Sequence, residues 1–360
     1  MVVGCGALGN EVLKNLTLLN VGELVIVDFD FVEESNLCKS VLFSATGETK
    51  GKPKVEIAEQ AIKRLNPEVK VKSINGDFCY DIGLGLLHEM DVVISCVDNR
   101  WTRYIINRQC MAAGVPWIEG GITETEGAIK VFEPGKNCYA CLIGEKEEIE
   151  MRLRHSCPGV VKSNVNAGHA PTNILIASVI GALQVQEALK LVVNKKSGKS
   201  VFETLSGKTL IFNIINNSFS IISFTAFDED CCEHIPIEDV RDITVKRSDK
   251  VENILKKMRK VYNGRDIKIF LDRSSFVSDI VDVTDNKLYP VMEPEYKVAD
   301  FIKKNEDISG IPLGHFRQIE WKVLDDTFLL QDLALEQLGI PHSDWLPVMV
   351  DGEEFYIFVE

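Results

Sequence analysis

The chain opens with an apolar strand, Met1-Val2-Val3, that runs at once into glycines at 4, 6 and 9 and then into a helical stretch from Asn10 to Leu19. Few folds accept that order. Glycine tolerates the left-handed backbone such a turn needs and lets a phosphate approach the helix N-terminus. A second strand, Glu23 to Asp28, ends in an acid nineteen positions after Gly9. Together these make a nucleotide-binding βαβ fingerprint, with phosphates over the Gly4, Gly6 and Gly9 turn and Asp28 accepting the ribose hydroxyls.

The alternation continues with a helix at Lys54 to Leu65, a strand at Val69 to Ile74, a helix at Asp81 to His88, a strand at Asp91 to Cys96, a helix at Thr102 to Ala113 and a strand at Trp117 to Glu119. It predicts an α/β fold: a Rossmann-like, doubly wound, mostly parallel sheet with helices on both faces. From Ala128 the strands shorten, a long apolar helix covers Ile174 to Val193, and Val201 to Phe227 alternates as an antiparallel extension turning at Asn216-Asn217. The charged segment from Glu238 sets a boundary, with residues 1–237 as one domain and 238–360 as a smaller α+β domain. A chain of 360 residues has room for both. The smaller domain reads as a strand at Ile243 to Val245, a helix at Lys250 to Val261, a strand at Asp266 to Leu271, a helix at Leu330 to Gly339 with a glycine C-cap, and two closing strands around Asp351-Gly352.

Composition narrows the function classes. Against 54 acidic residues stand 40 basic ones, and no dense Lys/Arg run occurs, so a duplex nucleic-acid binder is not expected. Apolar runs such as Ile174 to Leu183 stop short of the roughly 20 residues that span a bilayer, and no signal peptide opens the chain. The expectation is a cytoplasmic protein off the membrane. Ten cysteines in that setting read as metal ligands, nucleophiles and small buried hydrophobes. Cys5, Cys38, Cys79, Cys96 and Cys110 fit the last role.

An NAD-dependent oxidoreductase would account for the glycines and Asp28, but five further groups point elsewhere. Ser35-Asn36-Leu37 follows Asp28 and Asp30; Gly51-Lys-Pro-Lys54 opens the next helix; Val97-Asp98-Asn99 with Arg103 and Asn107 caps the fourth strand; then come Cys138-Tyr-Ala-Cys141 and Gln184-Val-Gln-Glu187-Ala-Leu-Lys190. In this order they resemble the ThiF/MoeB superfamily, the adenylating domain of ubiquitin-activating enzymes, over about residues 1 to 235. The resemblance implies ATP, with its adenosine held by Asp28, its phosphates over the glycine turn and Mg2+ at Asp98. Asp30, Asn36, Lys39, Lys54 and Asn99 complete the site. Lys54 and Asn36 would neutralise and orient the phosphates as a ubiquitin-like C-terminal carboxylate attacks the α-phosphorus, giving an acyl-adenylate and pyrophosphate. By position alone Asp98 could instead be a helix N-cap and Lys54 a solvated lysine at a helix start. Arg103 and Asn107 could belong to the site or form an exposed helical pair.

The chain departs from the superfamily pattern in two places. Where relatives carry a phosphate-binding arginine it has Lys39, which keeps the charge but loses the bidentate fork. It also starts inside the first strand, without the preceding helix from which relatives send an arginine into the partner subunit's ATP site. The second departure reads either as a misplaced start or, with the first, as weaker adenylation, which leaves room for a catalytically weak subunit of a heterodimeric activating enzyme.

Cys138-x-x-Cys141 is half of a tetrahedral metal clamp. In the superfamily the other half follows the antiparallel segment, where this chain has Cys231-Cys232-Glu233-His234. The expectation is a structural Zn2+ site of Cys138, Cys141, Cys231 and His234, with Cys232 as the alternative to His234. Cys157 lies sixteen positions after Cys141, in a crossover segment at about 142–172, beside Arg152, Arg154 and His155, which would lower its pKa. The interval resembles that before the nucleophile of some ubiquitin-family activating enzymes; a structural cysteine is the other reading. The resemblance thus implies an adenylyltransferase that takes a ubiquitin-like protein as a thioester on Cys157. It also implies a homo- or heterodimer and a C-terminal domain that recruits a conjugating enzyme or serves as a dimerisation or lid element.

Overall fold

The structure, a computed structural model, describes residues 1–43, 49–143, 173–224, 229, 231–263 and 266–360. Cys157, Arg152, Arg154 and His155 lie outside the described residues. The described chain divides into two compact units, one of residues 1–79, 87–143 and 173–236 and one of residues 80–86 and 237–360.

The first unit is built on one eight-stranded sheet. Its strands are β1 (Val2–Val3), β2 (Glu23–Val27), β3 (Lys70–Ile74), β4 (Val93–Ser95), β5 (Trp117–Ile122), β6 (Glu126–Phe132), β7 (Lys208–Asn213) and β8 (Ser218–Ser223), in the order β3-β2-β1-β4-β5-β6-β7-β8. Pairing is parallel from β3 to β5 and antiparallel from β5 to β8. Leu24 to Val27 are all buried, as expected where helices cover both faces of a parallel sheet. The helices are α1 (Ala7–Leu18), α2 (Lys54–Leu65), α3 (Arg100–Ala112) and α4 (Ile174–Ser197).

With 24 residues, α4 outruns the apolar stretch read from the sequence, and by length and composition it could cross a bilayer. Half of its apolar window is nevertheless buried, against α1, β5 and β6 of its own unit. Polar groups on that inner face find protein partners: Gln184 donates to Ser95 O at 3.0 Å, and Glu187 accepts the Leu205 N–H at 2.7 Å. The expected helix from Asp81 to His88 is instead two short turns, Phe78–Asp81 and Leu84–His88, split at Gly83, where helix propensity is lowest.

The strand order reverses between β2-β1 and β4-β5, so a crevice is expected at the carboxyl ends of β1 and β4. The glycine turn lies there. Gly4 sits at φ +94° and donates its N–H to Val27 O at 2.8 Å, tying the turn to β2. A Cβ on Gly4 would approach Cys96 O to 2.8 Å, and one on Gly9 would come within 1.9 Å of Gly4 O. Gly6 faces open space, with nothing within 4 Å of where a Cβ would be. Two glycines are therefore required by packing, and the third leaves room.

The second unit carries a five-stranded sheet and a three-stranded one. The strands β9 (Val240–Val245), β10 (Ile267–Phe270), β14 (Val323–Leu324), β15 (Asp344–Val350) and β16 (Glu353–Val359) run in the order β14-β10-β15-β16-β9, while β11 (Phe276–Asp282), β12 (Leu288–Pro294) and β13 (Phe316–Trp321) run β12-β11-β13. Helix α5 (Val251–Val261) buries Val251, Ile254, Leu255 and Met258 in the core of the larger sheet, and α6 (Glu295–Lys304) packs with the smaller. The β15-β16 hairpin closes on Asp351 and Gly352, both at positive φ, as a two-residue turn requires. Leu330 to Gly339 is not the expected helix but a run of turns. Its amides bond sideways: Leu335 N–H reaches Asp249 O at 3.2 Å, Glu336 N–H reaches Arg247 O at 3.0 Å, and Ala334 N–H is taken by Gln337 Oε1 at 2.9 Å.

Replacing Gly9 by alanine should cost about 1–3 kcal/mol through forced backbone movement, read as a lowered urea midpoint. Gly6→Ala should stay within about 0.5 kcal/mol of the parent. Equal stability of the two variants would contradict this account of the turn.

Candidate functional site

Three strand ends and two helix starts build the site. Asp28, at the end of β2, accepts the Cys5 N–H at 2.6 Å and the Asp30 N–H at 2.7 Å, so its carboxylate is bound to the glycine turn itself. Burial pushes its pKa up, while Lys54 and the two N–H donors pull it back. Two backbone donors leave a carboxylate with further acceptor capacity, enough for ribose hydroxyls.

Lys54, the first residue of α2, is buried, and its Nζ donates to Asp30 Oδ2 at 2.7 Å. Desolvation works against its ammonium, but Asp28 and Asp30 outweigh it and the net shift is upward, so the cation is retained. That placement removes the reading of Lys54 as a solvated lysine. Asn36 lies in the short helix Glu34–Leu37, where its Oδ1 accepts the Glu33 N–H at 3.0 Å. Lys39 follows one turn later, half-buried, with its N–H on Asn36 O at 3.1 Å.

On the other side of the crevice, the N-cap of α3 is Asn99, whose Oδ1 accepts the Thr102 N–H at 2.7 Å. The capping role therefore falls to Asn99 and not to Asp98, which stands exposed just beyond β4. Arg103 and Asn107 do not form an exposed pair. Asn107 is fully buried and its Oδ1 accepts both the Trp117 Nε1–H at 3.3 Å and the Tyr139 N–H at 2.9 Å. Arg103 donates from Nη2 to Val97 O at 3.0 Å and pairs with buried Glu119 at 3.3 Å.

Sequence reasoning missed Asn10 altogether. It is fully buried in α1, and its Nδ2 donates to Cys5 O at 2.7 Å and Gly6 O at 3.0 Å while its Oδ1 accepts the Leu42 N–H at 2.9 Å. The signal available was a polar, short side chain directly after Gly9, in the first turn of the helix. Among the cysteines assigned to packing, Cys5, Cys79 and Cys110 are buried and Cys96 half-buried, but Cys38 is exposed.

A second centre gathers Cys138, Cys141, Cys231 and His234, whose ligand atoms all lie within 4.8 Å of one another. The sulfurs of Cys138 are 3.6 Å from Cys141 and 3.8 Å from Cys231, and Cys141 Sγ is 3.7 Å from His234 Nδ1. The edge of a tetrahedron with metal–sulfur bonds of about 2.3 Å is roughly 3.8 Å, so the four groups suit a tetrahedral zinc ion. Burial pushes the Cys138 thiol up to about 11 and raises Cys231 further, so a bound cation would be what ionises them. The 3-10 turn Cys232–His234 is fastened to α3 by Tyr104 Oη donating to Glu233 at 3.0 Å and by Arg108 at 3.6 Å from the same carboxylate. The Cys232 side chain lies outside the described residues.

The SAMP-activating enzyme E1 of Haloferax volcanii is 30% identical over 249 residues, spanning 68% of this chain and 83% of that protein. The molybdopterin-synthase adenylyltransferase of Escherichia coli strain K12 is 34% identical over 221 residues, 61% of this chain and 80% of that one. The adenylyltransferase and sulfurtransferase MOCS3 of Bos taurus is 30% identical over 246 residues, 67% of this chain; the chain spans 50% of that protein's length. Residues 1–233 match the ThiF family. The glycine turn, the acids after β2, Lys54, the Asp98 turn and the Cys/His cluster therefore stand in a chain that belongs to the ThiF family.

Proposed function

We propose that the chain adenylates the C-terminal carboxylate of a small ubiquitin-like or sulfur carrier protein. The observation that carries this is the convergence of an open Gly6, a buried Lys54 held between Asp28 and Asp30, and an uncapping, exposed Asp98 at one switch point. The names of the relatives support the adenylyl transfer. In this reading Asp28 holds the ribose, the turn cradles the phosphates, and Lys54, Asn36 and Lys39 neutralise the charge that grows as a carboxylate oxygen attacks the α-phosphorus and pyrophosphate departs. Asp98 would hold Mg2+, which screens phosphate charge. Lys54 serves best because its carboxylate partners keep it protonated and fixed before ATP arrives.

The later steps are part of the same proposal. The Cys157 thiolate attacks the acyl-adenylate, releasing AMP and leaving a thioester, and residues 238–360 recruit the conjugating enzyme that accepts it. The Cys138, Cys141, Cys231 and His234 clamp holds zinc as a closed structural site that takes no part in the chemistry. The active form is a homo- or heterodimer.

Exchange of labelled pyrophosphate into ATP, with a ubiquitin-like protein present, tests the first step. Asp98→Ala should lower it roughly 100-fold or more, since a metal carboxylate contributes several kcal/mol to such a transition state. Cys157→Ala should leave exchange intact but abolish the dithiothreitol-sensitive adduct on a non-reducing gel. Full exchange in Asp98→Ala would refute the site; a surviving adduct would move the nucleophile to another cysteine; nucleotide binding without exchange in the parent would favour a non-catalytic subunit.

Metal analysis should find about one zinc per chain, and Cys138→Ser should lose both the zinc and thermal stability. No zinc in the parent, or no change in the variant, would remove the clamp. Loss in His234→Ala but not in Cys232→Ala would fix the fourth ligand.

A further inference from the structure

We infer that Arg103 is a positioning residue that sets the place of Asp98 through the Val97 carbonyl and anchors that turn to the buried Glu119 of β5. The inference rests on the reading of Asp98 as the magnesium carboxylate. Asp98 is exposed and makes no side-chain bond among the described residues, so its carboxylate is located by its backbone alone. Two groups hold that backbone: the Asn99 cap on one side, and on the other the Val97 carbonyl, which accepts from Arg103 Nη2 at 3.0 Å. The Val97 carbonyl belongs to the peptide that carries the Asp98 nitrogen. Moving one therefore moves the other.

The guanidinium is itself gripped. Its Nη1 is 3.3 Å from Glu119, a buried carboxylate on β5 that also accepts from Lys130 Nζ at 2.6 Å. Its charge also lies near Tyr139, one of the two residues between the cysteines, whose N–H is taken by Asn107 one turn further along α3. Asn107 thus ties the backbone of Tyr139 to α3, the helix that carries Arg103. Meanwhile Arg103 Nε is buried without a partner among the described residues. An unmade buried hydrogen bond costs about 1–3 kcal/mol, so the side chain is oriented for its Nη contacts at the expense of Nε. Glu119 keeps a second cation in Lys130 when Arg103 is changed, so the pair's loss does not strand a buried carboxylate.

The test separates a positioning role from a merely structural one. Magnesium required for half-maximal pyrophosphate exchange, and ATP affinity in the presence of EDTA, are measured for the parent and for Arg103→Lys, Arg103→Gln, Lys130→Met and Asp98→Asn. Outer-shell partners of metal ligands typically change metal affinity 10–100-fold, so Arg103→Lys should raise the magnesium requirement about tenfold or more, with metal-free ATP affinity within about twofold of the parent. Arg103→Gln gives the same reading where the lysine variant fails to fold. Lys130→Met, which loosens Glu119 but spares the Val97 contact, should leave the magnesium requirement unchanged. Parent-like magnesium dependence in the Arg103 variants, or an equal shift in Lys130→Met, overturns the inference while leaving the adenylation site standing. Parent-like magnesium dependence in Asp98→Asn overturns both.

Discussion

One buried amide holds the glycine-turn end of the first unit together. Asn10 gives its Nδ2 hydrogens to Cys5 O and Gly6 O and takes the Leu42 N–H on Oδ1, so a single side chain joins the glycine turn, the start of α1 and the segment after Lys39. A turn that approaches its own helix as closely as Gly4 O approaches Gly9 has carbonyls that water cannot reach, and those must be satisfied from within. Asp28 does the matching work on the donor side, accepting Cys5 N–H. The turn is thereby fixed before any ligand arrives, and β1, α1 and β2 are fixed with it.

From this frame the charges follow. Lys54 is held at the start of α2 by Asp30 and kept charged by both acids, which is the state the proposed contact with phosphates requires. Across the crevice α3 does three jobs with one face: Asn99 caps it, Arg103 holds the Val97 carbonyl, and Asn107 holds Tyr139. The Asp98 turn and the Cys/His cluster thus share one rigid helix. Preorganisation of this kind is what a site needs when its task is to stabilise charge developing on phosphoryl oxygens.

Much of this was legible in the sequence, because the signals were local. The glycine spacing, the acid after β2, and the two-residue gaps in Cys138 to Cys141 and Cys231 to His234 report short-range geometry, and the structure brings each set together. What could not be read was long-range. Nothing near Glu119 announces that Arg103 and Lys130 will meet on it from separate elements. Asn10 looks like an ordinary helix residue until the segment at Leu42 folds over it. Leu330 to Gly339 has helical composition, yet its amides find better acceptors on residues 247–249 than four residues back in their own chain, so tertiary bonding overrode propensity. The long helix reads as ending at Val193, where the apolar pattern stops, but its backbone runs on through Asn194, Lys195 and Lys196 to Ser197 and ends at the left-handed Gly198.

The claim that the Asn10 brace makes the nucleotide site is open to direct measurement by calorimetric titration of ATP into the parent and Asn10→Ala. The account predicts that the parent binds ATP and that the variant, still folded by circular dichroism, binds it at least about tenfold more weakly, a loss of about 1.4 kcal/mol. Undiminished ATP affinity in a folded Asn10→Ala, or a parent that binds no ATP, would contradict it.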